Sequence, residues 1–181
     1  YLSLFLSFIS KSVYSFEPQK KLFIPRKSNI RYSNIAIGEK NEKRVLYIPY
    51  NERKDDNAFA TFLPKKSERF IKVKKRTVKI YSLDDVILTK IKSKQTLDFL
   101  KIDVEGLEFE VLKGAKKLIK KYSPLIMIEL SSRYNSIKTN VKISNYLLKL
   151  NYSAYYYCYD EDKLVQIKNI NPFFVKQTSY A

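Results

Sequence analysis

The stretch from Thr96 to Ala115, TLDFLKIDVEGLEFEVLKGA, limits what this chain can fold into more than any other. Phe99, Leu100, Ile102 and Val104 make a short apolar run of strand length. Asp103, Glu105 and Gly106 come where the chain must turn. Leu107, Val111, Leu112, Ala115, Leu118 and Ile119 then recur at helical spacing with lysines between them, which predicts an amphipathic helix. A strand apolar on both faces that feeds straight into a helix is the unit of a parallel α/β sheet. Ligands of such sheets bind outside the carboxyl ends of the strands, and Asp103 and Glu105 stand at that end.

The flanking segments extend the pattern. The apolar start, LSLFLSFIS at positions 2–10, is shorter than the roughly 20 residues needed to span a membrane. It reads better as the end of a buried helix than as a signal peptide, because no basic segment precedes it. Val13 to Phe16 is a short strand ending at Glu17-Pro18, and Pro18 suits the first turn of a helix carrying Leu22 and Phe23. Ile30 to Ile37 reads as one strand closed by Gly38. VLYIP reads as another, followed by a polar loop, NERKDDNAFATFLPKKSE. Ile71 to Tyr81 reads as two alternating pieces around a basic turn at Lys74 to Arg76, a small hairpin-like insert. Ser82 is placed to cap a helix LDDVI, with Asp84 and Asp85 at its positive end. KIKSKQ reads as a solvated loop. Leu125 to Leu130 is a second buried strand, with Glu129 near its carboxyl end. A helix is expected over Ile143 to Leu150, and a hairpin over Tyr152 to Tyr159 and Leu164 to Ile167.

Composition removes whole classes of chemistry. The chain has no histidine and one cysteine among 181 residues. That excludes Ser-His-Asp and Cys-His nucleophilic sites, His-based metal sites and an internal disulfide. Cys158, within YYYCY, reads as a packing residue. A general base must be Asp, Glu, Lys or Tyr; no metal site is expected. Net charge is +17, from 35 Lys+Arg against 18 Asp+Glu, so an anionic partner has to be weighed. The basic residues are mostly lysine and are scattered, which favours a solvated surface. Nucleic acid and peripheral contact with an anionic membrane stay open as partners.

Acids recur at the expected strand ends: Glu17, then Asp103 and Glu105, then Glu129, with Asn34 near the end of the strand between. Carboxylates on separate strand ends of one parallel sheet converge in one crevice, where a carboxylate can accept hydrogen bonds from ribose hydroxyls. Glu17 suits that role. Taken singly, Glu17 or Asp103 could simply cap the next helix, and Glu129 could pair with a lysine. Lys101, inside the central strand, has three readings: an edge position, a snorkelling stem or a pair with Asp103.

The run LKIDVEGLEFEVLKGA, Leu100 to Ala115, resembles the central signature of the FkbM-type methyltransferases, which use S-adenosylmethionine. The SFEP and NIAIG runs resemble segments that precede that signature in the same family, so the likeness covers about positions 13–38 and 77–130. The resemblance implies a Rossmann-like class I methyltransferase sheet that O-methylates a hydroxyl of a sugar, glycolipid or small natural product. It implies that Glu17 holds the cofactor's ribose, that Asn34 and Ala36 lie near the adenine, and that Asp103 faces the methyl-donor end and acts on the acceptor. Glu105 would be a second catalytic acid, and Glu129 would bind substrate or the methionine amine.

The chain departs from that family at one point. Such a cradle needs a first strand and a glycine-rich turn, and here Gly38, Gly106 and Gly114 are the only glycines. The expectation is therefore one partial domain, 1–181, with its first strand and glycine loop absent. Within it, 11–38 would carry the cofactor-side strands, 39–95 an insert and helix, 96–130 the central signature and 131–181 a terminal helix and hairpin. The chain is expected to be cytoplasmic and inactive as an isolated fragment. The rivals are a nucleic-acid methyltransferase and a non-catalytic basic binding module. The Pro-Pro loop of base-amine methylation and the Pro-Cys nucleophile of ring-carbon methylation are both missing from the sequence.

Overall fold

A computed structural model describes residues 2–19, 27–50, 60–63, 72–91, 95–130 and 134–167. The expected helix around Leu22 and Phe23, and most of the polar loop after Tyr50, lie outside the described residues, as does the middle of KIKSKQ. The fold is mixed α/β with parallel strand pairs. Strand β1 (Val13–Phe16) pairs in parallel with β2 (Ile30–Ser33), after a short helix α1 (Leu2–Ile9). Strand β6 (Phe99–Ile102) pairs in parallel with β7 (Leu125–Ile128). Between them in sequence lies a three-stranded sheet in the order β3-β5-β4, formed by β3 (Ala36–Gly38), β4 (Glu42–Pro49) and β5 (Val73–Ser82). The terminal hairpin forms as read, with β8 (Tyr155–Cys158) antiparallel to β9 (Lys163–Gln166).

Several sequence expectations need correction. Ile30 to Ile37 is not one strand. The chain leaves β2 at Ser33, and β3 joins β5 in a different sheet. The break falls at Asn34, whose Nδ2 donates to the Glu17 carbonyl at 2.7 Å. Nor is there a hairpin turn at Lys74 to Arg76. Residues 73–82 form one continuous strand, because its backbone pairs with β4 along an unbroken antiparallel register from Pro49↔Val73 to Glu42↔Ile80. The helix α5 (Ile137–Leu148) begins earlier than expected, where the Ser136 hydroxyl accepts the Thr139 N–H at 3.1 Å.

Helix α1 reverses expectation more fully. It is not buried: Phe5, Phe8 and Ile9 are 62%, 71% and 72% exposed, while Ser7 on the inner face is 4% exposed. The inner face is held by polar contacts, with Asn29 Nδ2 donating to the carbonyls of Ser7 at 2.7 Å and Ser10 at 3.0 Å.

The apolar stripe of the central helix is buried as read, with Val111, Leu112, Ala115, Leu118 and Ile119 each at most 3% exposed. It is carried by two helices, α3 (Glu108–Gly114) and α4 (Lys116–Tyr122). The reason is Asp84, in the short helix α2 (Leu83–Ile87). Its carboxylate accepts the backbone N–H groups of Lys117 and Leu118, both at 2.9 Å, and so caps a new helix start. Asp84 was expected to favour the positive end of its own helix. Ser82 does cap that helix, accepting the Asp85 N–H at 3.1 Å.

Strand β3 divides two cores. Ile37 faces the larger one with Leu112, Ala115 and Ile143, and Ala36 faces the smaller one with Leu46, Val78 and Ile80. Helix α3 lies against β3 so closely that a Cβ on Gly114 would stand 2.0 Å from the Gly38 carbonyl oxygen. Gly114 therefore serves helix–strand packing. Among the described residues no helix is long and apolar enough to cross a membrane.

Candidate active site

The register of β6 on β7 builds the centre of the site. Ile102 is opposite Ile128, and the Glu129 N–H donates to the Ile102 carbonyl at 3.0 Å. The next residues, Asp103 and Glu129, therefore leave adjacent strand ends side by side, where Asp103 acts electrostatically on Glu129. Lys101 Nζ donates to Asp103 Oδ2 at 2.9 Å, which settles its reading as a pair two positions along one strand face.

Glu105 follows in the turn with φ 53°, a left-handed conformation that costs a non-glycine residue energy. Gly106, at φ 113°, completes the turn. Three groups outside the strand hold it. The Thr61 hydroxyl donates to the Glu105 carbonyl at 2.9 Å. The Gly106 N–H donates to Glu108 Oε1 at 3.0 Å, and Asn135 Nδ2 donates to Glu108 Oε2 at 2.6 Å. Glu108 is only 2% exposed, so its charge reaches its neighbours through little water.

These surroundings set the protonation of the acids. Burial and then the charges of Asp103, Glu129 and Glu108 push the Glu105 carboxyl up to about 7, against a smaller pull from its bond to the Tyr134 side chain. Burial and then Asp103 also raise Glu129, while Lys101 draws it back. Among the described residues no three such groups are arranged to hold a metal ion.

Glu17 heads a separate turn at the end of β1. Its Oε1 accepts the Gln19 N–H at 2.9 Å. Its carbonyl accepts the Tyr32 hydroxyl at 3.1 Å as well as Asn34 Nδ2, and the Tyr32 hydroxyl also reaches the Gln19 carbonyl at 3.3 Å. The Arg76 guanidinium, from β5, donates to the Pro18 carbonyl. Burial raises the Glu17 carboxyl, the Gln19 N–H and then Arg76 lower it, and Asp103 adds a small rise. That last effect puts Glu17 and Asp103 within electrostatic reach of each other.

Asp103, Glu105 and Glu129 thus gather at the ends of β6 and β7, and Glu17, at the end of β1 in a separate sheet, lies within electrostatic reach of Asp103. Asn34 is nearby, but its amide is engaged in holding the Glu17 turn. Ala36 is not brought to the crevice: it is 4% exposed in the smaller core, on a strand of another sheet. Its apolar position in β3, alternating with Ile37, sends it inward.

A signature over most of the chain decides the family. A model described as "Methyltransferase FkbM domain" matches residues 2–154. The chain belongs to the FkbM methyltransferase family. Among solved structures, it is similar to the methyltransferase FkbM from Methylobacillus flagellatus KT, at 19% identity and a TM-score of 0.48, over 80% of this chain and 32% of that one. It therefore spans about a third of the length of that relative. No curated protein matches it.

Sequence reasoning missed Glu108, Thr61, Arg76, Tyr32 and Asn135, all of which hold the site rather than form its surface. Arg76 left a trace, as the single arginine of the lysine-rich strand VKKRTVKIYS. Glu108 left another, as a carboxylate directly after a glycine turn, where it can reach back to free backbone N–H groups. Thr61 and Asn135 left none that periodicity could detect.

Proposed function

We propose that this FkbM domain takes part in methyl transfer from S-adenosylmethionine to a hydroxyl of a sugar, glycolipid or small natural product. The observation that carries this reading is the electrostatic coupling of the Glu17 turn, at the end of β1, to the Asp103–Glu105–Glu129 cluster at the ends of β6 and β7. The donor set fits the cofactor in part. Glu17 Oε2 is not used by the bond that fixes Oε1, so the carboxylate can accept from ribose hydroxyls. When bound, S-adenosylmethionine would supply an already activated methyl group, so a site without histidine suffices.

The residues of the chain then divide the remaining work. Glu105, with its carboxyl near neutrality, accepts the proton of the acceptor hydroxyl and returns it to solvent. Asp103, fixed by Lys101, orients that hydroxyl. Glu129 supports the acceptor or an ammonium group. The buried Glu108 and the Thr61 hydroxyl hold the Glu105 turn rigid.

The glycines do not provide a phosphate- or ribose-hugging backbone turn: Gly38 and Gly114 pack on each other, and Gly106 lies under Leu63. Among the described residues β1 pairs with β2 alone and β6 with β7 alone, so each presents an open edge. A further parallel strand, with its own glycine turn and supplied from outside the described residues, would join those edges and complete the cradle.

The test is calorimetric titration with S-adenosylmethionine, followed by methyl transfer onto a panel of hydroxyl acceptors. The protein should bind the cofactor and methylate a hydroxyl. Absence of binding by the full-length protein, or transfer to nucleic acid in place of hydroxyls, would overturn the reading.

A further inference from the structure

The Glu17 turn is held from two directions. Tyr32 and Asn34 reach it from β2 and the residue just after, beside the strand that leads into it. Arg76 comes instead from β5, in another sheet and 58 residues away in the chain. The antiparallel partner of β5 is β4, whose Tyr47 exchanges backbone hydrogen bonds with Thr61 at 2.9 and 3.0 Å. Thr61 in turn holds the Glu105 carbonyl. One ribbon thus touches the turn on each side of the crevice.

We propose that Arg76 is a positioning residue for cofactor binding: it ties the Glu17–Gln19 turn to the β4–β5 ribbon and keeps the Glu17 carboxylate aimed at the crevice. The inference rests on the cofactor role proposed above for Glu17. The chemistry suits arginine better than lysine. A planar guanidinium carries five N–H donors, so it can hold the Pro18 carbonyl and still present positive charge to Glu17. A lysine ammonium is a flexible point charge and keeps only part of that geometry. Because Arg76 pulls the Glu17 carboxyl down against burial, its removal lets that carboxyl rise. A protonated Glu17 accepts hydroxyl hydrogen bonds poorly, so affinity should then fail at a higher pH on acidification.

The experiment compares wild type, Arg76→Gln, Arg76→Lys and Arg44→Gln in the full-length protein. Arg44 bonds to Glu42 and Glu110, away from the turn, and serves as the control. The probe is S-adenosylhomocysteine, titrated calorimetrically from pH 5 to 8. A second readout is hydrogen exchange at the Gln19 amide in the unliganded protein. Arg76→Gln should weaken binding roughly tenfold, as for a lost charged hydrogen bond, move the acid limit of binding upward and speed Gln19 exchange. Arg76→Lys should fall between, and it carries the test if the glutamine variant does not fold. Arg44→Gln should match wild type.

Unchanged affinity and pH profile in Arg76→Gln would overturn the proposal. So would a loss of affinity that is equally large when Glu17 is already Gln, since Arg76 would then act through something else. If wild type binds no S-adenosylhomocysteine, the cofactor role of Glu17 fails with it. Faster Gln19 exchange in Arg76→Gln would in that case still uphold the link between Arg76 and the turn, and unchanged exchange would overturn that too.

Discussion

The two turns at the strand ends carry the same kind of residue and treat it differently. At Glu17 the carboxyl is raised by burial, but a backbone N–H and a guanidinium oppose the rise. At Glu105 nearly every surrounding influence works in the same direction: burial, then Asp103, then Glu129, then Glu108. One acid is surrounded by donors, the other by its own kind. The first arrangement suits a fixed acceptor of hydroxyl hydrogen bonds. The second suits a group that takes and releases a proton near neutrality. The difference comes from near neighbours, Gln19 at Glu17 and Asp103 and Glu108 at Glu105, and from one distant partner of each, Arg76 and Glu129.

The sharpest way to break that contrast is to neutralise Glu105. Glu105→Gln should cut turnover by about 10²- to 10⁴-fold, the usual loss with a general base, while cofactor affinity changes little. Asp103→Asn should cost less, because the amide oxygen can still accept from Lys101 Nζ. Single-turnover assays with saturating cofactor read this directly. Equal turnover in Glu105→Gln and wild type, with the circular dichroism spectrum unchanged, would take Glu105 out of the proton step.

The complementary change is Glu17→Ala. It should weaken S-adenosylmethionine binding by about 10- to 100-fold, on the order of one hydrogen bond to a charged group, and leave turnover at saturating cofactor nearly intact. A loss confined to turnover would reverse the roles assigned to the two turns.

How much of this was legible in the sequence depends on the range of the interaction. The apolar stripe from Leu107 to Ile119, the Ser82 cap and the terminal hairpin are encoded within a few residues, and local periodicity found them. The meeting of Asp103 and Glu129 was legible too, because β6 and β7 are parallel neighbours whose carboxyl ends lie together. What periodicity could not supply was partner identity. Asp84 looked like an N-terminal charge for its own helix, and its oxygens instead cap a helix that starts more than thirty residues later. Ile30 to Ile37 looked continuous, because nothing in its alternation says that Asn34 will bond to Glu17. Helix α1 has an apolar composition that predicts burial, yet its serine face is the one turned inward.

The smallest effect separates the two turns by stability alone. A carboxyl whose pKa is raised by folding binds its proton more tightly in the folded state. The folded state is then favoured below the unfolded value, near 4.5, and that advantage is lost as pH rises through the folded value, about 7 for Glu105. Above pH 7 the folded protein carries the full cost of an ionised, half-buried Glu105. Glu105→Gln removes that cost, so the variant should be more stable than wild type at pH 8 and should converge with it toward pH 4.5. One pKa unit corresponds to about 1.4 kcal/mol, and solvent screening of a partly exposed group reduces the gain to about 1–2 kcal/mol. Glu17→Gln should shift stability in the same direction by less, since Gln19 and Arg76 already favour the ionised form there. Urea midpoints for wild type and both variants at pH 5 and pH 8 measure the difference. A Glu105→Gln advantage that is the same at both pH values would show that it does not arise from ionisation of the carboxyl, since glutamine bears the same backbone cost at φ 53°.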